Sequence, residues 1–102
     1  MDYLTKGEAK LLDRREAGLN LRGMAELLGV DLKKYIESER SQTPSRLLLQ
    51  EQGTCEKCVI YRRRSKMTQD QVAKELGVSR GWVNSMERGR VPCDTLVWYW
   101  EA

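Results

Sequence analysis

Histidine and phenylalanine are absent from this chain of 102 residues; proline occurs twice and cysteine three times. Without histidine the commonest general acid–base is gone, and so is a frequent metal ligand, so no enzyme is expected. Three cysteines cannot close a disulfide framework, and no cofactor or metal is expected. No apolar run approaches the length of a membrane span. The opening Met1-Asp2-Tyr3-Leu4-Thr5-Lys6 lacks the basic-then-apolar order of a secretion signal, so a cytoplasmic location is expected. No segment of useful length alternates with period two, so no sheet is expected.

What is present is unevenly divided. The chain carries 18 Lys+Arg against 15 Asp+Glu. Residues 1–52 hold nine basic and nine acidic side chains, whereas residues 53–102 hold nine and six, so the whole excess of +3 lies in the second half. A basic half fits an anionic partner such as nucleic acid; it also fits an ordinary solvated surface.

The sequence also repeats itself. Residues 11–49 laid over 59–97, at a constant offset of 48, give ten identities in 39 pairs. They include Arg14/Arg62, Ala25/Ala73, the Leu-Gly-Val of residues 28–30 and 76–78, Glu39/Glu87, Arg40/Arg88 and Pro44/Pro92. The seam falls in the polar Gln50-Glu51-Gln52-Gly53, which gives units of residues 1–51 and 52–102. Each unit reads as four short helices. Thr5-Lys6-Gly7-Glu8 and Thr68-Gln69-Asp70-Gln71 are capping boxes, in which side chains satisfy the orphan amides of a helix start. Gly77 suits a left-handed helix end, Asp31 and Ser79 suit N-caps, and Pro44 and Pro92 suit the first turn of a fourth helix.

The stretch Met67-Thr68-Gln69-Asp70-Gln71-Val72-Ala73-Lys74-Glu75-Leu76-Gly77-Val78-Ser79-Arg80, with Val83-Asn84-Ser85-Met86-Glu87-Arg88-Gly89, resembles the lambda-repressor-like (Cro/xenobiotic-response-element) helix-turn-helix family. Ala73 is small enough for two helices to cross, Gly77 turns, and Val78 and Val83 fill the wedge. The resemblance implies that the second helix of the pair lies in the major groove of double-stranded DNA. It also implies that Arg62 pairs with Glu87, and Arg14 with Glu39, as structural ion pairs, and that Gln69 clamps a phosphate. Each unit holds one helix fewer than the family's usual five. Small regulators of this family are frequent in phages and mobile elements, and a repressor acting as a homodimer is the corresponding expectation.

The two units differ in what they show on the third helix. At 100° per residue, Val83 and Met86 point inward while Arg80, Gly81, Asn84, Ser85 and Arg88 share the opposite face. Arg can take a guanine bidentately and Asn an adenine. Ser79 and Arg90 complete a candidate DNA-contact set with Gln69. In the first unit the same face reads Leu32, Lys33, Ile36, Glu37 and Arg40, and Leu21 stands where Gln69 stands in the second. Leu32 and Ile36 are expected to be exposed and to suit a protein partner, another regulator among them. In the other reading, Arg22, Lys33 and Lys34 still grip phosphates.

Near the end of the sequence, Trp98, Tyr99 and Trp100 fit either core packing or a self-association patch. Trp82 packs on a helix or rests against the DNA backbone. Cys55-Glu56-Lys57-Cys58 is a lone CxxC; a zinc site there would need Asp94, Glu56 or another subunit, so thiols are expected. The expected fold is all-α, two tandem four-helix helix-turn-helix units, the first degenerate and the second DNA-binding. The competing class is an anti-activator that grips another regulator through the same faces.

Overall fold

Thr5 starts the first helix by accepting from the Glu8 backbone N–H at 3.0 Å while the Glu8 carboxylate accepts from the Thr5 N–H at 2.9 Å. In the computed structural model, which describes residues 2–101, this capping box opens α1 (Lys6–Ala17). Two eight-residue helices follow, α2 (Leu21–Leu28) and α3 (Leu32–Glu39). Gly18 and Gly29 end α1 and α2 in left-handed geometry, at φ 72° and 68°, where a Cβ would be strained. Asp31 occupies the N-cap position of α3, but its side chain makes no capping bond.

The remainder of this unit departs from four helices. Pro44 begins a strand, β2 (Pro44–Leu48), which pairs antiparallel with β1 (Tyr3–Thr5) in a two-stranded ribbon. Tyr3 faces Leu48 and Thr5 faces Pro44, with a shift of register between the two pairs. A proline at the first residue of an edge strand has no ladder bond to lose, so Pro44 is tolerated there as readily as at a helix start. The three residues of β1 are too few to show an alternation, which is why the ribbon was not expected. Leu49 follows in a 3-10 turn (Leu49–Glu51) and is buried. Gly7 is required where α1 meets the end of α3: a Cβ on it would collide with the Glu39 carbonyl oxygen.

The second compact unit, Gln52–Ala102, is helical throughout its regular elements. It contains α4 (Thr54–Arg64), α5 (Gln69–Leu76), α6 (Arg80–Glu87) and α7 (Asp94–Glu101). The bounds of α5 and α6 equal those of α2 and α3 shifted by 48. Thr68 and Gln71 form the second capping box, Ser79 caps α6 by accepting from the Trp82 N–H at 3.1 Å, and Gly77 turns at φ 71°. Pro92 lies just outside α7, two residues before Asp94, and not within its first turn.

The core of this unit joins all four helices: Cys58, Val72, Ala73, Val83, Met86, Cys93 and Leu96 are buried together. Leu76, Val78, Tyr99 and Trp100 pack around them. Tyr99 and Trp100 meet edge to face with ring centroids 4.8 Å apart. Trp98 points away and is 67% exposed, so the aromatic run is divided between core and surface. In the first unit the residues equivalent to Leu76 and Val78 are Leu28 and Val30, exposed by 50% and 46%. That unit has no fourth helix to set beside them.

Candidate nucleic-acid interface

A guanidinium donates to a buried glutamate in each unit. Arg62 Nε reaches Glu87 Oε2 at 2.6 Å and Nη2 reaches Oε1 at 3.1 Å; Nη1 donates to the Met67 carbonyl at 3.2 Å. Arg14 repeats this with Glu39 at 2.7 and 3.3 Å and with the Leu19 carbonyl at 3.4 Å. Each pair ties the first helix of its unit to the end of the third and fastens the loop before the second. Such bidentate, charge-assisted bonds are directional, and removing one partner strands a buried charge.

From this point the units diverge. Gln69 donates through Nε2 to Glu87 Oε1 at 2.9 Å and to Asn84 Oδ1 at 3.3 Å. Arg88 Nε donates to the same Asn84 oxygen at 3.3 Å. A continuous polar chain therefore runs Arg62–Glu87–Gln69–Asn84–Arg88 and holds Asn84 and Arg88 on one face of α6. The two bonds to Asn84 lie at the long end of the hydrogen-bond range, so they are readily exchanged, whereas the Gln69–Glu87 bond is an anchor. Both amide hydrogens of Gln69 are engaged within the protein; a side-chain contact to phosphate would displace the one given to Asn84. In the first unit Leu21 and Ile36 stand at the positions of Gln69 and Asn84 and cannot continue the chain.

The rest of the α6 face is open. Arg80, Gly81 and Arg88 are exposed, and Asn84 and Ser85 are half-buried. Val83 and Met86 point into the core. A Cβ on Gly81 would meet only the Ser79 hydroxyl oxygen, at 3.9 Å. The fold thus has no steric need for glycine in this helix, where glycine costs about 0.5–1 kcal/mol relative to alanine. Beyond α6, Gly89 turns at φ 73° and the Arg90 N–H donates to the Ser85 carbonyl at 3.0 Å, which sets Arg90 beside the helix end. Trp82 is 47% exposed on the flank.

The corresponding face of the first unit differs from expectation. Leu32 and Ile36 are half-buried, not exposed, and Tyr35 between them is buried. The exposed apolar residues here are Leu27, at 68%, with Leu28 and Val30 at the turn between α2 and α3. A projection of one helix cannot show this, because it gives a direction and not what is packed against it. Burial and the Glu39 carboxylate push the Tyr35 phenol up to about 12. The Gln69–Asn84–Arg88 links and the proximity of Cys55 to Cys93 also escaped sequence reasoning, since each depends on helix crossings and not on spacing.

Among the described residues no helix is long and apolar enough to cross a membrane, and no group of three or more His, Cys, Asp or Glu is placed to hold a metal ion. Compared with known families, residues 60–98 match the model of a helix-turn-helix domain. That match spans the end of α4, all of α5 and α6, and the first half of α7. No curated protein and no solved structure matches the chain. Residues 60–98 are therefore similar to a helix-turn-helix domain, a DNA-binding type of module.

Proposed function

We propose that the chain is a sequence-specific transcriptional regulator, a repressor, that reads the major groove with α6. The observation that carries this reading is the polar chain from Arg62 to Arg88. It orients an Asn and an Arg on the one α6 face that also presents Arg80 and an uncrowded Gly81. In this reading Arg80 and Asn84 contact base edges, Ser85 lies between them, and Gly81 lets the DNA approach the helix backbone. Ser79, Arg88, Arg90 and Gln69 contact phosphates, with the amides at the start of α5 adding to the grip.

The first unit is a second, degenerate copy of the same scaffold. Its matching helix bounds, matching ion pair and matching glycine turn support a tandem origin. Its third helix has Leu32 and Ile36 where α6 has Arg80 and Asn84, and in this reading the chain binds as a homodimer with one α6 from each copy in successive major grooves, about 34 Å apart. A cytoplasmic protein of a phage or mobile element fits this domain type.

A second reading is favoured by the exposed Leu27, Leu28 and Val30: an anti-activator that grips another regulator through its first unit. Selection of bound duplexes from a random pool, followed by a salt series on the winner, separates the two. The regulator reading expects a defined site and affinity that falls steeply with salt. Recovery of no preferred sequence, with salt-insensitive capture of a protein partner, would favour the anti-activator.

A further inference from the structure

Sulfur occupies two equivalent-by-repeat positions in the second unit that hold other residues in the first. Cys55 and Cys93 correspond, at the offset of 48, to Gly7 and Ser45. Their Sγ atoms lie 3.2 Å apart. Cys55 sits in the first turn of α4, and Cys93 immediately precedes α7, its carbonyl accepting from the Val97 N–H at 3.0 Å. The Gly89 turn lies beside the pair: a Cβ on Gly89 would be 3.7 Å from Cys55 Sγ.

We propose that Cys55 and Cys93 are a redox modification site, a thiol pair that closes to a disulfide when a peroxide is present and reopens with a thiol reductant. The sulfurs need to approach by about 1.2 Å to reach a bond length of ~2.05 Å. Cys55, the more exposed of the two, attacks one peroxide oxygen as thiolate; the O–O bond breaks, water leaves and a sulfenic acid forms. Cys93 then attacks the Cys55 sulfur, the S–OH bond breaks, and hydroxide leaves as a second water with the thiol proton. Two thiols lose two electrons and two protons, and one hydrogen peroxide becomes two waters. Cys58 is the third thiol and stands aside: it is buried, and burial with the two neighbouring sulfurs pushes its thiol up to about 12, so it stays protonated and poorly nucleophilic.

The bond would close a ring over residues 55–93, which enclose α5 and α6 entirely. Cross-linking so long a loop stabilises mainly by restricting the unfolded chain. The inference does not depend on DNA reading, so either can fail without the other.

The test treats the reduced full chain with one equivalent of hydrogen peroxide. Thiols counted after unfolding are expected to fall from three to one. Trypsin cleavage after Lys57 separates Cys55 from Cys58, so peptide masses under non-reducing conditions show which pair has joined. A Cys55–Cys93 linkage lighter by two hydrogens, reversal by dithiothreitol and a rise of about 10–20 °C in the thermal midpoint of the unit are expected. The C55S variant, checked for its helical circular dichroism, is expected to lose both the linkage and the rise. Three remaining thiols, a Cys55–Cys58 linkage or covalent dimers as the main product would each overturn the proposal.

Discussion

The two halves of this chain share a frame and differ in what the frame holds. In both, a first helix carries an arginine that forks onto the glutamate ending the third helix, and a glycine turns at the same place. In the second half that glutamate also anchors Gln69, and Gln69 leads on to Asn84 and Arg88. In the first half the chain of polar contacts stops at the ion pair. In the proposed reading the ion pair serves the scaffold, whereas the residues that extend it toward the surface serve recognition. The halves also differ in closure. α7 completes a shared core in one; a two-stranded ribbon and a 3-10 turn stand in its place in the other, and Leu28 and Val30 remain exposed.

The largest expected effects come from the shared element. Arg62→Ala strands the buried Glu87 carboxylate and is expected to destabilise the second unit by about 3 kcal/mol or more, read by denaturant unfolding. Arg14→Ala should cost a comparable amount in the first unit. A large loss in one and none in the other would show that the frames are not equivalent.

Recognition should separate the halves more cleanly. Arg80→Ala and Asn84→Ala are each expected to cost roughly 1–3 kcal/mol on the preferred duplex and far less on random DNA. Leu32→Ala and Ile36→Ala, at the equivalent positions, should leave DNA affinity unchanged where the protein stays folded. Equal loss on specific and random DNA for Arg80→Ala would remove base reading from its role.

Alkaline pH should weaken the first unit by a mechanism of its own. A free tyrosine titrates near 10 and Tyr35 at about 12 in the fold, so folding favours the neutral phenol. That stabilisation is complete below pH 10 and is lost as pH rises from 10 to about 12. Tyr35→Phe should remove this part of the pH dependence, followed by thermal midpoints across the window.

Two glycine exchanges give the smallest shifts and the sharpest contrast. Gly81→Ala is expected to stabilise the second unit by about 0.5–1 kcal/mol while weakening DNA binding, because the added methyl makes only an ordinary contact with the Ser79 hydroxyl inside the protein and projects on the proposed DNA face. Lys66 adopts φ 57° where the first unit has Gly18 at 72°, so Lys66→Gly should stabilise by a few tenths to about 1 kcal/mol with no effect on DNA. Gly81→Ala that stabilises and binds as well as the parent would remove the reason given for that glycine.

The helix starts and stops were legible because each is written locally. Thr5 with Glu8, Thr68 with Gln71, and Gly77 need only three or four neighbouring residues to act. The ribbon was not, since Tyr3–Thr5 becomes a strand only by meeting Pro44–Leu48 about forty residues away. The α6 face could be projected from its own spacing. The engagement of Gln69 with Glu87 could not, because it depends on the angle at which α5 crosses α6. Leu32 and Ile36 are half-buried and not exposed for the same reason: helical periodicity gives a direction, and neighbours decide whether that direction is covered.

Titration of the selected duplex into isotopically labelled full-length chain, followed by amide chemical shifts, tests the central contrast most directly. The account predicts salt-sensitive shifts concentrated at residues 69–71 and 79–90, with residues 21–23 and 31–40 unmoved. Shifts concentrated at residues 31–40, with Arg80 and Asn84 unmoved, would contradict it.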